Sequence, residues 1–194
     1  MTGSELIVVG GANGAGKTTF ALEYASQFRG LYLGADAIAA ELAPDAPDSV
    51  AVAAAEELMR RLAAALAGET RLILESTLAG RTLRHVLHAA RDAGFTITIV
   101  YLFLDSPNTC VERVHERVMK GGHSVPEVDI RRRFLRSIRN FWQLYRPLAD
   151  HWILVYNSGN QPLDVAAGTA TDVSVRDAEL YAVFSGWMTG GTDG

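Results

Sequence analysis

The sequence predicts an α/β fold in which a five-stranded parallel sheet is flanked by helices on both faces. Short apolar runs alternate along the chain with segments of helical periodicity, the pattern of parallel strands connected by helices. The runs are almost uninterrupted by polar residues, as expected for strands buried on both faces. A glycine-rich segment at residues 11–18 joins the first run to the first helical segment. The predicted strands are residues 6–9, 31–33, 72–74, 97–104 and 152–156.

The predicted helices lie between these strands, and several carry recognisable boundary residues. Ser106 followed by Pro107 fits an N-cap and a first helical position. Ser124 followed by Glu127 fits a capping box at the start of an arginine-rich helix. The predicted helices are residues 18–27, 48–67, 83–93, 108–120 and 126–145, with a short one at 37–42 and a last one at 175–188.

The length of the chain suits one domain with a filled core. The 194 residues are within the range in which a single hydrophobic core is stable. We expect residues 1–160 to form this domain, with all five predicted strands inside it. Residues 161–194 are expected to be a C-terminal extension that packs on the domain or frays from it, with the last six residues frayed.

Composition and charge argue against several classes of protein. The net charge of −4 gives no overall attraction to nucleic acid or to an anionic membrane, so a nucleic-acid partner is not favoured. No apolar run approaches the length that crosses a bilayer, and we expect no leader segment before the first strand. The single cysteine, Cys110, excludes an internal disulfide and fits a reducing, cytoplasmic environment. We expect it to be a buried structural thiol.

The glycine-rich segment matches the phosphate-binding pattern GxxxxGK[ST] at every fixed position. Glycines allow successive N–H groups to point inward at phosphate oxygens, and the helix that follows adds its positive dipole end. Lys17 can then reach the β- and γ-phosphates of ATP, and the Thr18 hydroxyl can bind Mg²⁺. The alternative is a strand-to-helix turn without a ligand. The predicted nucleotide-binding residues are Gly11, Ala12, Asn13, Gly14, Ala15, Gly16, Lys17, Thr18 and Thr19.

Two carboxylates follow the second and third predicted strands. In open α/β sheets ligands bind beyond the carboxyl ends of the strands, so Asp36 and Glu75 are expected near the phosphates. Asp36 could accept the proton of an acceptor hydroxyl, or it could cap the short helix that follows it. Glu75 could hold the acceptor, bind Mg²⁺ through water or only cap the strand end. Asn157, after the fifth strand, either approaches the nucleotide or forms an ordinary turn.

A cationic segment between residues 113 and 140 is predicted to be a lid over the phosphates. Arginine stabilises the charge of a transferred phosphoryl group, and Gly121 with Gly122 offers a hinge. The alternative is a solvated basic helix that prefers acidic partners. The cationic residues are Arg113, Arg117, Lys120, Arg131, Arg132, Arg133, Arg136 and Arg139.

With these segments in place, the chain resembles the zeta-toxin-like P-loop kinases. The resemblance runs from the phosphate-binding loop to about residue 159. Its marks are the loop at 11–18, Ala35-Asp36, the segment 75–81 (Glu-Ser-Thr-Leu-Ala-Gly-Arg), Gly121-Gly122-His123, Val125-Pro126, Arg132-Arg133-Phe134, Asn140 and 157–159 (Asn-Ser-Gly). It implies a fold like that of nucleotide-monophosphate kinases, ATP with Mg²⁺ as cofactors, and phosphorylation of a small-molecule hydroxyl.

The resemblance also implies roles for particular residues. Asp36 would be the catalytic base, and Lys17 and Thr18 would hold phosphate and Mg²⁺. The acceptor would contact Glu75, Thr77 and Arg81, as a UDP-N-acetylamino sugar does in the toxins. The transferred phosphate would be stabilised by Arg117 and by Arg132 or Arg133. An antitoxin protein that blocks the nucleotide site would be the partner.

The sequence therefore favours an ATP-dependent small-molecule kinase over two alternatives. One is an ATPase or nucleotide-gated switch that acts on a protein, and it would form no phosphorylated acceptor. The other is a nucleic-acid-end kinase that uses the arginine-rich helix as a clamp, and it would bind oligonucleotides with a steep salt dependence.

Overall fold

The computed structural model describes residues 3–68, 70–122 and 124–189. In this part of the chain one sheet contains seven strands in the spatial order β2-β3-β1-β4-β5-β6-β7. The strands are β1 Glu5–Gly10, β2 Leu31–Leu33, β3 Arg71–Ser76, β4 Thr96–Phe103, β5 His151–Tyr156, β6 Leu163–Gly168 and β7 Val173–Val175.

The first five strands are the parallel strands that the sequence predicts. Strands β6 and β7 are an addition, and both pair antiparallel to their neighbours. The expected count of five was therefore too low. Strand β6 has the sequence LDVAAG, which lacks the run of branched apolar residues typical of a buried strand. Its pairing with β5 depends on a long-range contact that no local pattern signals.

Helices cover both faces of the sheet. They are α1 Lys17–Phe28, α2 Ala35–Leu42, α3 Ala51–Gly68, α4 Leu83–Asp92, α5 Pro107–Met119, α6 Glu127–Asn140 and α7 Ala178–Thr189. A 3₁₀ turn at Pro47–Val50 precedes α3. In the described part of the chain, no helix is long and apolar enough to span a bilayer.

The predicted N-cap of helix α5 is present in the structure, whereas the predicted capping box of helix α6 is not. Ser106 caps α5 as predicted, since its hydroxyl accepts a hydrogen bond from the Thr109 amide at 3.2 Å. The capping box at Ser124 does not form, because Pro126 is the N-cap of α6 and Ser124 lies outside the cap. The helix predicted over 126–145 also ends early, and a π-helical turn at Phe141–Tyr145 and a 3₁₀ turn at Arg146–Leu148 follow it.

An aromatic cluster joins the last helix to the sheet. Phe184 of α7 is fully buried, and its ring contacts those of Tyr101, Phe103 and Phe141. The indole of Trp187 donates a 2.9 Å hydrogen bond to the Asp105 carbonyl. The segment 163–189 thus packs on the same core as the preceding strands. The predicted fraying of the last residues concerns mainly 190–194, which lie outside the described residues.

The strand order brings the candidate residues to one edge of the sheet. Strand β1 lies between β3 and β4, and Gly10 is paired in register with Ser76. The loop after β1 and the end of β3 are therefore neighbours. Strand β2 lies on the other side of β3, so the start of α2 reaches the same edge. The carboxyl ends of three parallel strands meet there, where ligands of such sheets bind.

Candidate active site

The loop between β1 and α1 has the backbone of a phosphate-binding cradle. Gly14 has φ +80° and Gly16 has φ +85°, a region that residues with a side chain rarely adopt. A Cβ on Gly14 would lie 2.7 Å from the carbonyl oxygen of Cys110, and one on Gly16 would lie 2.5 Å from Nδ2 of Asn157. Only glycine fits at these two positions. Helix α1 begins at Lys17, directly after Gly16.

Lys17 is held inside this cradle. Its side chain is only 7% exposed, and its ammonium donates a 2.9 Å hydrogen bond to the Ala12 carbonyl. Burial lowers the pKa of Lys17, while the negative charges of Glu75 and Asp36 act in the opposite direction. The carboxylate of Glu75 lies 3.9 Å from the ammonium. The three side chains therefore share one electrostatic environment at the strand ends.

Glu75 is the centre of a small polar network. Its Oε1 accepts a 3.1 Å hydrogen bond from the Thr18 hydroxyl, and its Oε2 accepts a 2.6 Å hydrogen bond from the hydroxyl of Tyr32. A hydroxyl and a carboxylate side by side are hard oxygen ligands of the kind that Mg²⁺ prefers. The chemistry of Thr18 and Glu75 thus fits a magnesium ion beside the phosphate cradle.

Asp36 lies in the first turn of α2 and lines the cavity described below. The helix begins at Ala35 with Gly34 as its N-cap, so the alternative in which Asp36 caps the helix is wrong. Its side chain is exposed, and its charge also contributes to the raised pKa of Tyr32, after burial and Glu75. The carboxylate is therefore open to the cavity.

The segment after β3 is fixed to helix α6 by buried polar contacts. The Ser137 hydroxyl donates to the Thr77 carbonyl and accepts a 2.8 Å hydrogen bond from Tyr101. The amide of Asn140 donates to three successive carbonyls, those of residues 78–80, at 2.9–3.2 Å. These contacts set the position of the arginine-rich helix over the sheet edge.

Five arginines of α5 and α6 line a cavity of about 680 Å³ that opens at this edge. The side chain of Arg133 reaches the phosphate-binding loop, where it donates to Asn13 at 3.4 Å. Arg132 forms a 2.7 Å ion pair with Asp129 on its own helix, and Arg113 donates to the Ser158 carbonyl. The cavity-lining arginines are Arg113, Arg117, Arg132, Arg133 and Arg136.

The cavity brings most of the sequence-predicted residues together. Besides the arginines, the predicted residues that line it are Asn13, Gly14, Gly16, Lys17, Thr18, Thr19, Asp36, Glu75 and Thr77. Gly11, Ala12 and Ala15 are buried behind the loop surface. Arg81 is exposed and does not line the cavity. Asn157 lies behind the loop, where its Nδ2 donates a 2.8 Å hydrogen bond to the Ala15 carbonyl. His123 lies outside the described residues.

Sequence reasoning missed Tyr32 as a member of the site. Its only local signal is a polar aromatic residue in a three-residue apolar strand next to the strand that ends in Glu75. Arg113 and Arg136 were part of the predicted lid but were not assigned to the site. Arg136 follows Arg132 by one helical turn, and this spacing could have identified it.

Comparisons with known proteins agree with this architecture. Residues 6–138 match the model of the AAA domain family, and the chain therefore belongs to that family. An uncharacterized protein of Haemophilus influenzae is 24% identical over 124 residues, which are 64% of this chain and 88% of that protein.

Several solved structures share the fold at low sequence identity. A chain of the AvrRxo1-ORF1:ORF2 complex with ATP has a TM-score of 0.75 at 15% identity, and the alignment covers 99% of this chain but 66% of that one. The PezAT toxin–antitoxin system of Streptococcus pneumoniae gives a TM-score of 0.64 at 13% identity, with 100% and 81% covered. Shikimate kinase of Acinetobacter baumannii, in complex with shikimate, gives 0.52 at 16% identity, with 82% and 86% covered. The zeta-toxin-like P-loop kinase fold expected from the sequence is confirmed.

Proposed function

We propose that the chain is an ATP-dependent phosphotransferase that phosphorylates a hydroxyl of a small molecule. The observation that carries this proposal is the shared cavity of Lys17 and Asp36. The phosphate-binding loop and the exposed carboxylate of Asp36 line the same cavity. A volume of about 680 Å³ is within the range of cavities that hold small ligands, about 300–1,000 Å³.

The residues of the loop bind the phosphates in this proposal. The amides around Gly14 and Gly16 donate to phosphate oxygens, and Lys17 exchanges its contact with the Ala12 carbonyl for one with the γ-phosphate. Thr18 and Glu75 would hold Mg²⁺, which neutralises phosphate charge when it is bound.

The transfer itself needs one proton acceptor and positive charge around the phosphoryl group. The acceptor oxygen attacks the γ-phosphorus of ATP, the bond from that phosphorus to the β–γ bridging oxygen breaks, and ADP leaves. Asp36 accepts the proton of the hydroxyl as the new bond forms. Arg117 and one of Arg132 and Arg133 stabilise the negative charge on the transferred group.

A lid movement is part of the proposal. Gly121, at the end of α5, has φ +84°, which lets the chain turn sharply before α6. Ser137 and Asn140 hold the body of α6 on the segment after β3, so the movement would consist of rotations of the arginine side chains and of the turn at Gly121. Closure would exclude water and bring the arginines to the phosphate.

The acceptor and the partner are finer proposals that depend on the zeta-toxin resemblance. A UDP-N-acetylamino sugar is the acceptor that the resemblance supplies, with Glu75 and Thr77 as contacts inside the cavity. An antitoxin that covers the mouth of the cavity is the corresponding partner. Toxicity on expression, present with the natural chain and lost with Lys17→Ala, would support both.

Phosphorus NMR of ATP turnover tests the central proposal. The purified chain is incubated with ATP, Mg²⁺ and a panel of UDP-sugars, nucleosides, aminoglycosides, simple alcohols and short oligonucleotides. We expect one class of small-molecule hydroxyl to yield a new phosphomonoester signal, and Lys17→Ala to abolish it. Free phosphate without any phosphorylated acceptor would identify an ATPase instead, and a labelled oligonucleotide end would identify a nucleic-acid kinase.

A further inference from the structure

A second cleft lies next to the catalytic cavity, and most of the side chains that line it are apolar. Its volume is about 360 Å³, near the lower end of the range for small-molecule sites. It lies between helix α3 and the region where β3 ends and α4 begins. Its apolar lining consists of Ala55, Leu58, Met59, Leu62, Leu74 and Leu83, and its polar lining consists of Glu56, Glu75, Ser76 and Thr82.

The cleft adjoins the catalytic cavity. Ala55, Leu58, Glu75 and Ser76 line both of them. Glu75 is the residue that accepts hydrogen bonds from Thr18 and Tyr32, so the mouth of the cleft is at the predicted phosphate and magnesium site. A molecule in the cleft therefore lies next to the cavity that Asp36 lines.

Helix α3 leaves the cleft open because its two halves pack on different parts of the molecule. Leu62 and Ala65 are buried in the main core against the sheet, whereas Ala54 packs with Ile38 of α2 in a separate small cluster. Between these two contacts, Met59 remains 43% exposed. The apolar surface there is concave and adjoins a catalytic cavity, unlike the single exposed apolar residues that are common on protein surfaces.

We infer that this cleft binds an apolar group of the phosphate acceptor, such as an unsubstituted ring or a branched aliphatic chain. The inference rests on the proposed phosphotransferase function and narrows its substrate class. Water in an apolar cleft has few hydrogen-bond partners, so an apolar group displaces it favourably. The hydroxyl of the same acceptor then lies at the polar mouth, on the side of Asp36. An acceptor of this class is an alternative to the UDP-N-acetylamino sugar that the resemblance supplies.

The binding of a simple probe tests this inference without turnover. Methionine methyl groups labelled with ¹³C report on the site, because Met59 lines the cleft and Met119, which is 81% exposed on α5, does not. Benzyl alcohol is the probe, glycerol is its fully polar control, and Met59→Leu assigns the signal. We expect benzyl alcohol to shift the Met59 methyl signal in a saturable way and glycerol to leave it unchanged.

Two tryptophan variants of α3 compare a blocked cleft with an open one. Ala55→Trp places an indole in the cleft, whereas Val52→Trp, at a position that is 75% exposed and outside the lining, adds the same group to the surface of the same helix. The Met59 shift should be lost in the first and kept in the second. The inference is overturned if Met59 does not respond to benzyl alcohol, if Met119 responds equally, or if both tryptophan variants bind alike.

Kinetics separate this inference from the proposed function. For an acceptor with an apolar group, Met59→Lys should raise KM by about 10-fold or more relative to Val52→Lys, because Met59 lines the cleft and not the catalytic cavity and an apolar contact is lost there. Met59 is 43% exposed, so a lysine at this position should leave the fold intact. Phosphorylation confined to acceptors without an apolar group, such as glucose or UDP-N-acetylglucosamine, overturns the inference and leaves the kinase. A saturable Met59 shift without any phosphorylated product supports the cleft and overturns the kinase.

Discussion

The hydroxyl of Tyr32 donates a 2.6 Å hydrogen bond to Oε2 of Glu75, and this contact fixes the orientation of the carboxylate. The other oxygen, Oε1, is left to face Thr18 and Lys17. Burial and the adjacent carboxylate raise the pKa of Tyr32 far above its ordinary value. The phenol therefore stays protonated at any physiological pH and always acts as the donor.

Replacement of Tyr32 by phenylalanine should lower kcat/KM for phosphoryl transfer by about 10-fold. A hydrogen bond to a charged group contributes about 1.5–3 kcal/mol, and Glu75 would lose its fixed orientation without any loss of ring packing. Steady-state kinetics of Tyr32→Phe measure the effect. Tyr24→Phe on α1 removes a similar hydroxyl far from the carboxylate and serves as the control. Equal activity of the two variants would contradict a role for Tyr32.

Replacement of Gly14 by alanine should abolish nucleotide binding and destabilise the fold. The residue has φ +80°, which costs a residue with a side chain roughly 1–2 kcal/mol, and the new Cβ would lie 2.7 Å from the Cys110 carbonyl oxygen. Gly186→Ala is the control, because nothing lies within 4 Å of its Cβ position in helix α7. That change should stabilise the chain by up to about 1 kcal/mol. Thermal denaturation with and without ATP measures both, and a wild-type ATP response of Gly14→Ala would refute the cradle.

The thiol of Cys110 should be inert in the native protein. The residue is fully buried, and burial raises its pKa to about 12, against a smaller opposing effect of Lys17 and Arg113. Reaction with a thiol reagent near neutral pH should therefore require unfolding. Rapid labelling of the native chain would show that the thiol is accessible.

The same raised pKa predicts how stability changes at alkaline pH. Above the ordinary thiol value of 9.0, the unfolded chain loses the Cys110 proton while the native chain keeps it, so stability falls as pH rises toward 12. Between pH 9 and about pH 10, wild type should lose about 1 kcal/mol more than Cys110→Ala. Urea denaturation at the two pH values measures the difference. Parallel losses in the two proteins would contradict the burial of the thiol.

The features that the sequence predicted correctly depend on local patterns. The phosphate-binding motif has fixed spacing between a strand and a helix, and strand ends in a parallel sheet converge wherever the strands pair. Lys17, Thr18, Asp36 and Glu75 could therefore be assigned to one edge before any coordinates were known.

The features that the sequence did not predict depend on contacts between distant residues. The partner of Tyr32 is 43 positions away along the chain, and the antiparallel pairing of β6 has no local signal. Helix periodicity continues past Asn140, but Phe141 and Tyr145 are fully buried and the backbone becomes π-helical there. We attribute the end of α6 to the packing of these rings, which sequence periodicity does not reveal.

Replacement of Asp36 by asparagine should lower kcat by about 100-fold or more and leave ATP binding intact. The amide keeps the shape of the side chain but cannot accept the acceptor proton, a contribution of about 10²–10⁴ to the rate. Asp45→Asn, at an exposed position after α2, removes one negative charge outside the cavity and should have no effect.

Asp36 also acts on the site through its charge, and a pH profile separates the two effects. Its carboxylate opposes the lowering of the Lys17 pKa by burial, so Asp36→Asn should lower that pKa further. A purely electrostatic role would change the apparent affinity for ATP and the alkaline limb of the rate profile. A base is identified by a fall in kcat with an unchanged affinity for ATP in Asp36→Asn, and by partial recovery of the rate in Asp36→Glu. Wild-type turnover of Asp36→Asn would remove Asp36 from the mechanism, and another group would have to accept the proton.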